Sequence, residues 1–321
     1  MEVGLLMISD KPILITGSPR SGTSWVGRII GHVPFIRYIH EPFNISTNPC
    51  HCGVKFNYWF YYLSSSNLHE FEEHLKHVMY PAYSRAGLLN LITGIVQSRR
   101  IRPLSKYLQA YRSHRVLVKD PIALFSADTL ENRFDMDVLV LIRHPAAIVS
   151  SYKALNWTHP FSHFLHQPEL MEEHLAPFQA EVEDFVKNEY DIIDQAALLW
   201  KLIHYMIIKY QKTHPDWVFV RHEDLASTPI ECYRNIFNRL ELPFSEHTRS
   251  MIEAHSVQAQ LSDITRPYTI KQNSSQVISK WKKYLTPGEV MRIRKRVEEV
   301  SSHFFSQDEW YIFLAILLLV Q

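Results

Sequence analysis

The sequence predicts an α/β protein in which helices cover both faces of a central parallel sheet, a three-layer α/β/α arrangement. Four short runs are continuously apolar and rich in β-branched residues, as expected of strands buried on both faces. They span Pro12–Thr16, Val116–Lys119, Val138–Ile142 and Trp217–Val220, and a shorter strand is predicted at Phe35–Ile39. Helical patterns lie between and after these runs, and strands that alternate with helices favour such a three-layer sheet.

Two helices have the clearest periodicity, one within Gln195–Gln211 and one from Pro287 to about Val300, with proline in its first turn. The sequence shows no internal repeat and no linker rich in glycine or serine. We therefore expect a single domain over residues 1–321, with a core of about residues 12–300. The apolar tail, Tyr311–Val320, is about half the length of a membrane span, and the sequence assigns it no role.

Composition excludes several classes of function. The 34 basic residues balance the 33 acidic ones, so no field of one sign indicates a nucleic acid or a membrane surface as partner. The three cysteines are too few for a disulfide framework and suit a reducing compartment, so we expect a soluble, cytoplasmic protein. Cys50 and Cys52 flank His51, but a zinc site needs further ligands at suitable spacing, so no metal site is predicted.

The strongest single motif follows the first strand. The chain reads GSPRSGTS at residues 17–24, and a helix with one apolar stripe comes next. Glycines let the backbone approach an anion closely, and the amides and dipole at a helix start favour negative charge. The spacing matches the Walker A pattern, but Thr23 stands where a nucleoside-triphosphatase has lysine, and the fixed cation is Arg20. The loop therefore suits ATP chemistry poorly.

A second phosphate contact is predicted at the end of another buried strand. Arg143 ends that strand, Pro145 opens a helix, and Ser151 lies eight residues after Arg143, two turns into the helix. A guanidinium fork and a hydroxyl donor suit phosphate. In the alternative interpretation, Arg143 pairs with a carboxylate at the sheet edge, and Ser150 and Ser151 belong to the helix surface. Ser150 could also take the place of Ser151.

Together the two motifs resemble those of sulfotransferases, which use 3′-phosphoadenosine 5′-phosphosulfate (PAPS). SPRSGTSW resembles the family's 5′-phosphosulfate loop, roughly YPKSGTTW in cytosolic members, while Golgi-type and bacterial members commonly have arginine at the lysine position. The resemblance implies a P-loop NTPase-like fold in which Arg20 contacts the bridging or leaving oxygen of the sulfate. It also implies that the 5′-phosphate is held by Ser21, Gly22, Thr23 and Ser24, and that Trp25 lies near the adenine. The 3′-phosphate would be held by Arg143 and Ser151.

The resemblance extends to about residue 300, with departures. VFVRHEDL, residues 218–225, resembles the family's YEDL segment but has His222 in place of tyrosine. Trp281 and Lys282 keep a tryptophan–lysine pair found in cytosolic members, whereas the Arg-Lys-Gly loop that precedes it there is missing. The candidates to replace that loop are Lys271, Ser274 and Ser275.

The acceptor must lose a proton during transfer, so the site needs a base. IHEPFN places His40 and Glu41 at a strand end near the phosphate loop, where ligands gather in parallel sheets. This pattern resembles that of Golgi-type and bacterial sulfotransferases, in which a glutamate before proline is the base. Glu41 is therefore the first candidate, His40 the second and Asp120 the third. Lys119 either stabilises the leaving group or pairs with Asp120.

We therefore expect an enzyme that transfers a sulfuryl group from PAPS to a hydroxyl or amine by in-line displacement, releases the bisphosphate product PAP and needs no metal. Asn44–Asn67 and Asn156–Asp194 are either acceptor loops or surface decoration. The acceptor is a small molecule, carbohydrate or lipid, with carbohydrate or glycolipid favoured. One alternative, a P-loop kinase or NTPase using ATP and magnesium, predicts a lysine in the loop, and that lysine is missing. The other, a non-catalytic nucleotide-binding module, gives no reason for Glu41.

Overall fold

The computed structural model describes residues 9–46, 55–80, 115–257 and 280–311. Five parallel strands form one sheet in the order β2-β3-β1-β4-β5. The strands are β1 at Ile13–Gly17, β2 at Ile36–His40, β3 at Arg115–Lys119, β4 at Asp137–Ile142 and β5 at Val218–Arg221. No bound differs from the predicted strand by more than one residue.

The α-helices of the described residues are α1 Thr23–Gly31, α2 Leu68–Met79, α3 Ala127–Phe134, α4 Pro145–Leu155, α5 Ser162–Leu165, α6 Pro168–Leu170, α7 Gln179–Lys187, α8 Ile192–Thr213, α9 His222–Ser227, α10 Pro229–Arg239, α11 Glu246–Val257, α12 Pro287–Ser301 and α13 Gln307–Tyr311. The two helices predicted by periodicity are α8 and α12. A capping box formed by Thr286 and Glu289 starts α12.

Helices cover both faces of the sheet because alternate strand residues point to opposite sides. On one face Leu14, Val118 and Val140 share a core with residues of α4, α8 and α12. On the other, Ile15 and Leu139 share a core with residues of α1, α10 and α11. The predicted three-layer α/β/α architecture with a parallel sheet is confirmed.

The strand order places the candidate site at one edge of the sheet. β1 lies between β3 and β4: strands β2 and β3 lie on one side of it, and β4 and β5 lie on the other. The strand order therefore reverses next to β1, and ligands bind at such switch points beyond the carboxyl ends of the strands. Gly17, His40, Lys119 and Ile142 are the last residues of β1 to β4 and bring the predicted motifs to this edge.

Several predictions fall outside the described residues. Lys271, Ser274 and Ser275 lie in 258–279, Cys50 and Cys52 in 47–54, and all but the first residue of the apolar tail in 312–321. Within the described ranges, no helix combines the length and the apolarity that crossing a membrane requires.

Candidate active site

The loop after β1 is shaped by residues with left-handed backbone geometry. Gly17 has φ 131°, and a Cβ there would collide with the carbonyl oxygen of Leu141 on β4. Arg20 and Gly22 have φ 70° and 101°, and such turns make successive amides line a concave, anion-binding surface. Gly22 is the N-cap of α1 and provides no side-chain cap. The first amides of the helix are therefore available to a ligand.

Several buried polar atoms around this loop lack a hydrogen-bond partner among the described residues. They include Thr16 Oγ1, Ser21 Oγ, Trp25 Nε1 and Arg143 Nε. Folded proteins satisfy nearly all of their buried polar groups. Four such atoms around one glycine-containing loop are what a binding site for a polar ligand requires.

Arg20, Ser151 and Arg143 meet beside the loop. The Arg20 Nε donates a 2.8 Å hydrogen bond to Ser151 Oγ, and Arg143 Nη1 donates a 2.6 Å bond to the Arg20 carbonyl oxygen. Ser150 and Ser151 are 3% and 4% exposed, so neither belongs to the helix surface. Burial lowers the pKa of Arg143 to about 10, opposed by the charge of Glu223 and assisted by that of Arg20. Both guanidinium groups are charged at neutral pH.

Glu41 follows β2 in a strained conformation, with φ 45°, and its amide donates to the Lys119 carbonyl oxygen at 2.9 Å. Non-glycine residues held in the left-handed region cluster at functional sites. Oε1 of the carboxylate contacts Nζ of Lys119, and Oε2 accepts a 2.7 Å hydrogen bond from Asn44. Burial favours a raised pKa for Glu41, but Lys119, Asn44 and His40 outweigh it and hold the pKa below its usual value.

Lys119 pairs with Glu41, a partner that neither alternative for Lys119 named, and the expected pair with Asp120 is wrong. Both oxygens of Asp120 are engaged by backbone amides, at 2.6 Å from Phe43 and 2.9 Å from Ile122. Burial, followed by the charge of Glu41, raises the pKa of Asp120 to about 7. Asp120 thereby ties the turn that carries Glu41 to the end of β3.

His40, the second candidate base, is adjacent to this ion pair. Its Nε2 lies 3.8 Å from Glu41 Oε1, and its side chain is 35% exposed. Its Nδ1 lies 3.2 Å from the hydroxyl of Tyr38. The structure therefore brings both glutamate and histidine to the strand end, with glutamate as the buried member.

Sequence reasoning assigned no role to two neighbours of the site. The Arg20 guanidinium lies 5.8 Å from the ring centroid of Trp157, at the start of the second predicted acceptor loop. Asn44 holds the second oxygen of Glu41. Only the closeness of Asn44 to Glu41 in sequence could have indicated a contact, and nothing in the sequence pointed from Trp157 to Arg20.

His222, at the position where the resemblance implies tyrosine, packs against the phosphate loop. A Cβ on Gly22 would lie 2.7 Å from its Nδ1. The ring of Trp25 lies 6.2 Å from His222 and 5.6 Å from Tyr233, both edge to face. Trp25 is therefore held from one side by α9 and α10, next to the start of α1.

One group of metal-ligand residues lies elsewhere. Asp128, Glu131 and His214 place potential ligand atoms within 4.8 Å of one another. They precede β4 and β5, at the opposite edge of the sheet from the phosphate loop. They take no part in the candidate site.

The fold has three layers around a parallel sheet, and its first strand runs through a glycine-containing loop into a helix N-terminus. These features define a P-loop protein. A model of the sulfotransferase family matches residues 12–246, well over half of the chain. The chain belongs to the sulfotransferase family. The three-layer fold and the class of enzyme inferred from the motifs are thus confirmed.

Solved structures with similar folds include several sulfotransferases. The sulfotransferase domain of a Synechococcus olefin synthase is 16% identical, with 91% of this chain and 94% of that chain covered and a TM-score of 0.46. A mouse sulfotransferase solved with PAP is 13% identical, with coverages of 94% and 87% and a TM-score of 0.46. A Mycobacterium avium sulfotransferase is 14% identical, with coverages of 92% and 76% and a TM-score of 0.43. A search of curated proteins found no match.

Proposed function

We propose that this sulfotransferase uses PAPS as donor, transfers its sulfuryl group to a hydroxyl or amine of an acceptor, and releases PAP. The observation that carries the proposal is the meeting of Arg20, Ser151 and Arg143 beside a phosphate loop that lacks the Walker lysine. Two guanidinium groups at one site suit a donor with two separate phosphate groups.

The described residues fit such a donor. Ser21, Gly22, Thr23 and Ser24 would hold the 5′-phosphate through hydroxyls and helix-start amides, and the unpartnered Ser21 Oγ supports this. Arg143 and Ser151 would hold the 3′-phosphate. Trp25 would lie beside the adenine. The donor supplies an activated sulfate, so the protein has to bind, orient and stabilise charge.

Glu41 would take the proton of the acceptor as the acceptor oxygen or nitrogen bonds to sulfur and the bond from sulfur to the phosphate oxygen breaks. Lys119 keeps the Glu41 carboxylate ionised, and Asn44 fixes its orientation. Arg20 and the loop amides would stabilise the negative charge that develops on the leaving phosphate. A positioned base of this kind contributes about 10²–10⁴-fold to a rate. His40 is the next candidate, while Asp120 has both oxygens occupied by amides.

Isothermal titration calorimetry of the purified protein with PAP, run beside ATP with magnesium, tests the donor. We expect PAP to bind, Arg143→Ala to weaken that binding, and ATP to give no comparable heat. Arg133→Ala, which removes an exposed arginine paired with Glu72, is the matched control and should bind PAP normally. Preference for ATP would overturn the proposal in favour of a kinase or NTPase.

Replacing Glu41 by glutamine separates an enzyme from a binding module. Glu41→Gln keeps the size of the side chain and an oxygen acceptor but removes the base. We expect transfer to collapse while PAP binding survives. Transfer at the wild-type rate in this variant would show that Glu41 is not the base and would direct attention to His40.

For the acceptor we favour a carbohydrate or glycolipid. Support comes from partly exposed rings where the two predicted acceptor loops meet: Tyr58 lies 6.4 Å from Tyr61 in a nearly parallel arrangement, and 5.5 Å from both His163 and His166. Such rings can pack against the apolar face of a sugar. In an acceptor screen, Tyr58→Ala should raise the acceptor KM and leave PAP affinity unchanged. A change in PAP affinity alone would remove Tyr58 from the acceptor site.

A further inference from the structure

Glu223 links the ends of two strands. It is the second residue of α9, directly after β5, and its Oε1 accepts a 2.9 Å hydrogen bond from the amide of His144, the second residue after β4. The carboxylate is therefore close enough to Arg143, the residue before His144, for their charges to interact, although the two groups form no ion pair. Glu223 is 8% exposed.

The carboxylate of Glu223 and the guanidinium of Arg143 each have one buried atom that makes no hydrogen bond to the described residues. Within the part of the chain that the structure describes, neither Oε2 of Glu223 nor Nε of Arg143 has a hydrogen-bond partner. Two opposite charges are therefore buried as neighbours without bonding through these atoms. A buried charge needs compensation, and each of these groups supplies part of it to the other.

We propose that Glu223 is the buried negative charge that compensates Arg143 before the donor arrives, and that binding of the donor's 3′-phosphate is coupled to uptake of one proton by Glu223. This inference rests on the proposed function, because it assigns the 3′-phosphate to Arg143. The phosphate would bond directly to Arg143 and bring negative charge close to a buried carboxylate. Like charges at such distances favour protonation of one of them.

A proton on Glu223 is compatible with the surrounding contacts. It would come from solvent and reside on Oε2, and Oε1 would continue to accept from the His144 amide. Burial raises the pKa of Glu223, whereas that amide and the charges of Arg143 and Arg221 oppose the rise. The carboxyl group is therefore already displaced towards the protonated form before a phosphate adds its repulsion.

Most of the charged groups around Glu223 are cationic. Arg143 and His144 act on it from the segment between β4 and α4, and Arg221 acts on it from β5. Arg20 and Lys280 add positive charge near Arg143. Burial lowers the pKa of His144 to about 3, and the pKa of His222 lies well below its usual value. Both histidines are neutral near pH 7, where Glu223 is the acidic group in contact with this strand end.

Calorimetric titration with PAP at pH 7.5, in two buffers that differ in ionisation enthalpy, counts the protons taken up on binding. We expect the wild-type protein to take up more protons than Glu223→Gln, by up to about one, because glutamine keeps the acceptor for His144 but cannot titrate. The titration of PAP's own phosphates is common to both proteins and cancels. Glu309→Gln, which removes a carboxylate paired with Arg221, is the matched control and should behave as wild type.

The affinity for PAP should depend on pH through the same protonation of Glu223. Glu223→Gln should bind PAP about tenfold more tightly than wild type at pH 8, since a repelling charge is gone, and the two affinities should converge as the pH falls to 6. Equal proton uptake and parallel pH dependences in the two proteins would overturn the inference. Failure of the proposed function is distinguishable, because PAP would then not bind the wild-type protein.

A second measurement needs no variant. Wild-type protein is titrated at pH 7.5 with 5′-AMP, which lacks the 3′-phosphate, and with PAP. We expect more proton uptake with PAP. The same uptake with both nucleotides would contradict the coupling even if Glu223→Gln failed to fold.

Discussion

The ammonium group of Lys119 contacts the carboxylate of Glu41 inside the protein, where Lys119 is fully buried and Glu41 is 7% exposed. The pair joins the carboxyl ends of β3 and β2. Burial lowers the pKa of Lys119 and the charge of Glu41 opposes that shift. Glu41 is consequently an ionised carboxylate with a fixed position, which is the state a base needs before an acceptor arrives.

Breaking this pair should destabilise the fold strongly. Lys119→Met leaves a buried carboxylate without its counterion, and such changes cost about 3–5 kcal/mol. Urea unfolding measures the loss. Lys187→Met, which removes the exposed partner of Glu183, should change stability by no more than about 1 kcal/mol. Equal effects of the two substitutions would show that the Lys119–Glu41 pair contributes little.

The pH dependence of transfer should report the same pair. Because the pKa of Glu41 in the folded protein lies below its ordinary value, its contribution to stability and its proposed action as the base are present above that ordinary value. Both are lost as the pH falls through the depressed value. The acid limb of log kcat/KM against pH should therefore lie below the usual carboxylate range. In an Asn44→Ala variant, which removes a hydrogen bond to the charged form, the limb should move to higher pH; an unmoved limb would assign it to another group.

Much of the fold could be predicted because its signals are local. Four continuous apolar runs and one shorter segment identified the five strands, and the pattern of Arg20, Arg143 and Ser151 indicated a phosphate site whose members do meet. The partner of Lys119 could not be predicted, because Glu41 is 78 residues away and the contact depends on strand order. The neighbouring Asp120 was the obvious partner in sequence, but backbone amides had already satisfied it.

Gly27 of α1 provides the space for the Lys119 side chain. A Cβ at Gly27 would lie 3.0 Å from Lys119 Cγ and 3.0 Å from Tyr38 Cε2. Replacing glycine by alanine inside a helix normally stabilises it by about 0.5–1 kcal/mol. We expect Gly27→Ala to show no such gain and to lower kcat/KM by roughly tenfold, because Lys119 and Glu41 are displaced. Gly288→Ala, where nothing lies within 4 Å, is the control; matching behaviour of the two variants would mean that Lys119 adjusts freely.

Trp157 should act through Arg20. Its partly buried ring lies 5.8 Å from the Arg20 guanidinium and 5.7 Å from the ring of Tyr152, so it limits the positions that Arg20 can adopt. A cation–π contact of this kind contributes about 0.5–2 kcal/mol, and Trp157→Ala should therefore lower kcat by about twofold to thirtyfold. Trp157→Phe keeps an aromatic face and should retain most of the activity.

The affinity for PAP distinguishes this role from a general effect on the site. Arg143, Ser151 and the loop amides would still hold the two phosphates of PAP, whereas transfer depends on the alignment of Arg20 with the leaving oxygen, so Trp157→Ala should bind PAP nearly as well as the wild-type protein while its kcat falls. Calorimetry and steady-state kinetics on the same preparations provide the comparison. A parallel loss of PAP affinity and kcat would instead make Trp157 a wall of the nucleotide site, because the ring would then stabilise bound nucleotide whether or not a sulfate is present.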